Sequence, residues 1–192
     1  MPVLELIFFE IKMSFVKLES NQEIIKNIIQ NFPGLRFHEI KKESLLANGT
    51  LQHHLSSLEK AEIISIDYDN FTPRYFLKEI APNSRIIIKR LNQITPSRII
   101  KLLLKKECRV FSQIVKSAKK SPGTVSLYKN LLLKDGIIKG DTSNCYSCRK
   151  FPNKIKYRLT DPEKVRAIVL DYGKTSLQQT ADNLSDVFLA IK

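Results

Sequence analysis

The sequence lacks the features that mark most other classes of protein. Six glycines and eight prolines in 192 residues are too few for a disordered chain, and 43% hydrophobic content is ordinary for a globular one. No stretch reaches the run of about 20 apolar residues that a spanning helix needs, so no membrane association is expected. Met1–Ser14 is apolar, but it opens without basic residues and is broken by Glu5 and Glu10, a poor signal peptide. It reads either as an extra element covering the first domain or as chain ahead of an alternative start at Met13. Three cysteines make no disulfide framework, and a reducing cytoplasm is the expected location. There is no phosphate-binding glycine loop, no nucleophile elbow, and no helix with two metal ligands at i, i+4 beside a carboxylate. No catalytic residue is assigned, and the chain is expected not to be an enzyme.

Acidic residues are scarce in one region only. The chain carries 32 Lys and Arg against 19 Asp and Glu, a net charge of +13. Such an excess implies an acidic partner, nucleic acid ahead of a membrane surface. Residues 1–94 hold 12 cations against 11 acids, whereas residues 95–160 hold 16 against only Glu107, Asp135 and Asp141. A general preference for lysine would spread along the chain, and this excess does not.

The same plan is written twice. At an offset of 74, Phe37 falls on Phe111, Ile40 on Ile114, Lys42 on Lys116, and Gly49-Thr50 on Gly123-Thr124. Leu58 then falls on Leu132, Lys60 on Lys134, and Ile63-Ile64 on Ile137-Ile138. Nine identities in 28 positions, and only two copies, predict two domains of similar fold rather than a solenoid. In the first, Ser20 and Glu23 form a capping box ahead of an isoleucine stripe at 24, 25, 28 and 29, and Pro33-Gly34 stops the helix. A second helix is predicted over His38–Ser44. A third opens at Asn48, an N-cap candidate, with Leu51, Leu55 and Leu58 on one face. Ile64, Ile66 and Tyr68 then alternate with polar residues, and a turn at Asn70–Pro73 leads into Arg74–Leu77, a hairpin. In the second, a helix from Thr95-Pro96 to Lys106 precedes an extended Cys108–Val110 and a helix over Phe111–Lys119. Ser121-Pro122 then supplies a cap with proline at the first helical position. That helix ends near Asp135-Gly136, and a hairpin follows with arms at Ile137–Asp141 and Lys154–Leu159.

These patterns predict a mainly α fold of two tandem winged helix-turn-helix domains. The expected boundaries are 1–19 (extension), 20–80 (first domain), 81–94 (linker with a helix over Ser84–Asn92), 95–160 (second domain) and 161–192 (C-terminal helices). Asp161-Pro162-Glu163 opens a helix ending at Gly173. Beyond it, Leu177, Ala181, Leu184, Phe188 and Ile191 step by four, three, four and three, the spacing of a two-helix seam, which predicts a homodimer.

Asn48-Gly49-Thr50-Leu51-Gln52-His53-His54-Leu55 and Ser121-Pro122-Gly123-Thr124-Val125-Ser126 resemble the recognition-helix openings of archaeal winged-helix regulators of the ArsR/MarR type. The resemblance covers residues 20–160, and the tandem arrangement resembles archaeal two-unit regulators. It implies that this helix enters the major groove while the wing touches backbone or minor groove. Two positions depart from the pattern. Lys129 stands where the first copy has Leu55, and Glu62 stands where the second has Gly136.

Read on that plan, Val125, Tyr128 and Leu132 face the core, while Thr124, Ser126, Leu127 and Asn130 look outward toward base edges. Ser121, Gly123, Lys119 and Lys120 lie at the helix N-terminus, where phosphates are favoured. In the second wing, Lys154, Lys156 and Arg158 alternate with Ile155, Tyr157 and Leu159, predicting three cations on one strand face. Arg149 and Lys150 add to them at the tip. The other reading of such a strand is a solvated edge protected by its charges. The first unit offers Thr50, Gln52, His53 and Ser56, with Arg74 as the wing's only cation, and is expected to contribute less to DNA binding or to serve dimerisation or sensing.

Cys145 and Cys148, in the tip of the second wing, are spaced to grip zinc or another soft metal or to close a small disulfide. A closed site needs four ligands, and Cys108 is expected at the wing root, far from the tip. No cofactor is therefore assigned. The expected function is a sequence-specific, double-stranded-DNA-binding transcriptional regulator, dominated by the second unit and competing with or recruiting transcription machinery. The alternative is a basal transcription or chromatin factor that uses its winged helices as docking surfaces.

Overall fold

The computed structural model describes residues 20–143 and 145–172, and these are mainly helical with small antiparallel sheets. Local sequence explains the helix boundaries. Helix α1 (Asn21–Asn31) starts at the capping box: Glu23 N–H donates to Ser20 Oγ (3.2 Å), and Ser20 N–H to Glu23 Oε2 (3.0 Å). It buries Ile25 and Ile29, and ends where Gly34 takes a left-handed φ of +80°. Helix α2 (Phe37–Ser44) follows, then α3 (Asn48–Lys60), whose buried face is Leu51, Leu55 and Leu58. Asn48 is the first helical residue rather than the cap. Ala47 occupies that position with no side-chain hydrogen bond. Strands β1 (Ile64–Asp69) and β2 (Thr72–Leu77) form the first wing around a two-residue loop, with Asn70 and Phe71 both at positive φ. Leu35 bridges to Tyr75, so the short extended segment before α2 lies along the wing.

The offset of 74 seen in the sequence reappears in the backbone. Helices α6 (Phe111–Ala118) and α7 (Pro122–Lys134) begin and end at the positions α2 and α3 dictate. Leu45 and Lys119 both close their helices in the left-handed conformation, at φ +58° and +52°. Glu62 and Gly136 both turn the chain into a wing at φ +55° and +68°. The Glu-for-Gly departure therefore leaves the corner intact. Strand β3 (Arg109–Val110) pairs with β5 (Lys156–Leu159), which pairs with β4 (Ile138–Asp141), so the second sheet has the order β3-β5-β4.

Between the two sets of elements, α4 (Pro82–Leu91) is no loose linker. It buries Ile87 and Ile88, and Arg85 donates from Nε to Ile80 O (2.6 Å) and from a terminal nitrogen to Lys78 O (3.0 Å). It packs on α5 (Ile94–Lys105) and on α8 (Pro162–Tyr172). Arg90 joins the halves: its guanidinium meets Asp69 of the first wing at 2.9 Å and Asp135, at the end of α7, at 2.5 Å. Lys89 reaches Asp67 at 3.2 Å. One apolar core runs through both sets, from Ile25 and Phe76 to Leu132 and Leu159.

Candidate nucleic-acid interface

Helix α7 is held by Val125 and Leu132, which are fully buried, with Tyr128 half-buried beside them. This leaves Ser121, Gly123, Thr124, Leu127 and Asn130 exposed and Ser126 half-buried, close to the outward set read from the sequence. Ser121 caps the helix, accepting from Thr124 N–H at 3.3 Å, and its hydroxyl lies 2.8 Å from Thr124 Oγ1. The hydroxyl pair is thus pre-positioned at a helix N-terminus, where the backbone dipole favours an anion. Lys119 and Lys120, both exposed, stand immediately before it.

Gly123 and Gly49 occupy equivalent places in α7 and α3. A Cβ at either would meet nothing within 4 Å, and neither backbone is left-handed. Glycine in the first turn of a helix costs up to about 1 kcal/mol relative to alanine. Nothing within the fold requires it at either place.

The helix and the second wing line one cleft, bounded by Phe111, Ser126, Lys129, Lys154 and Ile155. Lys129, the lysine at the position of Leu55, keeps its stem in this cleft, with its ammonium 5.6 Å from the Phe111 ring centre and 5.3 Å from that of Tyr157. A cation over two ring faces is a satisfied arrangement, so α7 keeps the register of α3. Lys154 is exposed and lies over Phe151, and Arg149 and Lys150 are exposed at the tip.

Three expected surface cations are corrected. Lys156 does not share an outward face with Lys154 and Arg158. It is 1% exposed, and its ammonium donates to the carbonyls of Thr142 (3.2 Å), Ser143 (3.0 Å) and Pro152 (3.2 Å). The long tip folds over the strand and turns its solvent face into an interior one. Arg158 is half-buried, paired with Asp141 at 3.0 Å and hydrogen-bonded to Ser143 Oγ. Ile155, expected on the packed face, is 53% exposed instead. Arg74 is likewise no surface cation of the first wing. It is 2% exposed, donates to Gly34 O (2.8 Å) and pairs with Asp69 (3.4 Å).

The first unit presents Thr50, Gln52, His53 and Ser56 on the exposed face of α3, as its pattern required. Its wing tip carries aromatic surface rather than charge: Phe71 is 98% and Tyr68 66% exposed. Asp67 and Asp69 are tied to α4. Burial pushes the Asp69 carboxyl up, but the hydrogen bond from Arg90 and the charges of Arg90, Arg74 and Lys89 outweigh it and hold it below its ordinary value.

The cysteines depart most from expectation. Cys108, placed by the sequence reading far from the wing tip, lies against it. The structure pairs it with Cys145, with Cys148 Sγ 3.2 Å from Cys108 Sγ. The tip folds back onto β3, a long-range arrangement for which the spacing of the three residues gave no signal. Among the described residues this is the one cluster of three or more His, Cys, Asp or Glu side chains suited to an ion.

Three helices followed by a hairpin, in each of two sets, define the winged helix-turn-helix fold. Residues 19–88 match the HTH_HVO_0163_N family, an N-terminal HTH domain, so the match covers the first unit and most of α4. No curated protein matches the sequence significantly. Among solved structures, the S. aureus MepR–DNA complex is similar at 14% identity over 56% of this chain and 90% of that one, with a TM-score of 0.36. The DIP2311 protein of Corynebacterium diphtheriae is similar at 14% identity over 73% of this chain and 26% of that one, with a TM-score of 0.26. At such scores neither adds to the fold described above. Among the described residues, no helix is long and apolar enough to cross a membrane.

Proposed function

We propose that the chain is a sequence-specific regulator that binds double-stranded DNA, with α7 in the major groove and the second wing against the backbone. The observation that carries this reading is the surface shared by α7 and the wing. Exposed Thr124 and Asn130, half-buried Ser126 and a glycine the fold does not need stand beside Lys119, Lys120 and Lys154. Short hydroxyls and an amide suit base edges, a missing Cβ admits close approach, and the lysines suit phosphates. The helix-turn-helix match of residues 19–88 supports the same class of function.

Binding titrations at several salt concentrations test it. Lys119→Ala with Lys120→Ala, or Arg149→Ala with Lys150→Ala, is expected to weaken all duplexes alike. Each pair should reduce the log–log salt slope by roughly 0.9 for every phosphate that is no longer neutralised. Thr124→Ala or Asn130→Ala is expected to cost about 1–3 kcal/mol of discrimination with little change in slope. Gly123→Ala should stabilise the fold yet weaken binding. Gln52→Ala in the first unit should cost less than Asn130→Ala. If first-unit changes abolish binding while the second-unit changes leave it intact, the assignment of units is wrong.

The bare aromatic tip of the first wing favours a second role for that unit, as a docking surface for transcription machinery. The apolar stripe from Leu177 to Ile191, outside the described residues, supports a homodimer reading two half-sites. Light scattering of the intact protein tests that, and a monomer at micromolar concentration would refute it.

A further inference from the structure

We propose that Cys108, Cys145 and Cys148 bind a thiophilic divalent cation of the zinc class as three thiolates, with the Glu107 carboxylate as fourth donor. The donors come from distant parts of the chain. Glu107 and Cys108 precede β3, whereas Cys145 caps the single helical turn Tyr146–Cys148 in the wing tip and Cys148 ends it. The three sulfurs lie within 4.8 Å of one another, and all three cysteines are buried. Zn–S bonds of about 2.3 Å arranged tetrahedrally place sulfurs about 3.8 Å apart, a spacing open to the three sulfurs once the Cys108–Cys145 bond is reduced.

Three further features fit an ion better than a disulfide alone. A Cys108–Cys145 bond uses two sulfurs, yet the third is buried 3.2 Å from Cys108 Sγ as well as near Cys108 O (3.5 Å) and Gln113 Oε1 (3.8 Å), so all three sulfurs converge on one point. Cys148 N–H donates to Cys145 O at 3.0 Å, a turn that brings both thiols of the pair to one side. Glu107 Oε2 lies 3.8 Å from Cys145 Sγ, within reach of an ion held by the sulfurs. Besides the hydrogen bonds from Lys156 and Arg158, the tip is held by a small apolar cluster of Cys108, Val110, Cys145, Cys148 and Phe151, separate from the main core, and an ion there would add to its anchorage.

Uptake by the reduced chain replaces the three S–H protons with three metal–sulfur bonds and releases up to three protons per ion. It involves no oxidation or reduction. The proposal does not depend on the DNA reading, because its readout is the ion itself.

The test uses the full chain, fully reduced with a phosphine and free of metal, titrated anaerobically with Zn2+ and Co2+. The expected result is one ion per chain, with thiolate-to-cobalt charge-transfer absorption and the visible bands of a tetrahedral site. Cys108→Ser should lower the charge-transfer intensity by about a third, one thiolate of three. Glu107→Gln should keep that intensity while lowering affinity about tenfold or more. If the reduced, folded wild-type chain takes up no Co2+ or Zn2+, the cluster is a redox pair and the proposal fails. It fails equally if Cys108→Ser leaves the cobalt spectrum unchanged. Should Cys108→Ser not fold, the wild-type stoichiometry and the Glu107→Gln affinity decide.

Discussion

At Glu62 and Gly136 the chain makes the same turn from recognition helix into wing with residues of opposite suitability. A side chain in the left-handed region crowds its own backbone, at roughly 1–2 kcal/mol, whereas glycine has no Cβ to crowd. The Glu62 side chain gains little in return, because its pairing with Lys78, at 3.7 Å, is exposed. Glu62→Gly is therefore expected to raise stability by about 1 kcal/mol in urea unfolding, and Gly136→Ala to lower it by about as much. Effects of the same sign from both substitutions would mean that the two corners are not equivalent.

Among the elements, the second wing differs most from a plain hairpin. Its strands are joined by a tip that folds over them, and Lys156 fills the space beneath, donating to three carbonyls. Removing the ammonium leaves buried acceptors unpaired, at a cost of about 1–3 kcal/mol. Lys156→Met should therefore destabilise the protein and speed hydrogen exchange across residues 142–155. Lys154→Ala, at an exposed position two residues away, should leave both unchanged. If Lys154→Ala and Lys156→Met weaken DNA binding equally without any change in exchange, Lys156 is acting as a surface cation after all.

On the scale of the whole molecule, Arg90 decides how the two units are held together. Its partners Asp69 and Asp135 belong to the first wing and to the end of α7, so one guanidinium sets the spacing between them. Breaking a buried pair by removing one member leaves a charge without compensation, and such changes cost about 3–5 kcal/mol. Arg90→Ala is expected to lower the thermal midpoint and to split a single unfolding transition into two. The acid response follows from Asp69, whose carboxyl is held below its ordinary value. Its contribution is complete above the unfolded value, near 3.8, and is lost as pH falls through the lower folded one. Asp69→Asn should therefore be less stable than wild type at neutral pH and lose less on acidification below about pH 4. Urea unfolding at pH 7 and pH 3 measures both, and parallel loss in the two proteins would place the acid-sensitive group elsewhere.

Local chemistry was enough to write down the helices, the caps at Ser20 and Ser121 and the order of elements, though Ala47 and not Asn48 caps α3. Ser20 with Glu23, Ser121 with Pro122, the leucines of α3 and the residue-for-residue repeat at 74 act within a turn or two of the chain, so the sequence alone determined them. The outward face of α7 was legible for the same reason, since Val125 and Leu132 repeat at helical spacing. What only the tertiary structure decided depends on residues far apart in sequence. Strand alternation placed Lys156 beside Lys154, yet the tip that covers Lys156 is folded by contacts no period encodes. Arg74 read as a wing cation until Gly34 and Asp69 enclosed it. Cys108 read as remote from Cys145 and Cys148, because a span of 37 residues has no preferred end-to-end distance until β3, β5 and the tip pack together. Periodicity specifies which face of an element points inward, but which distant groups meet there is settled by closing loops and burying charge, and those energies belong to the folded chain as a whole.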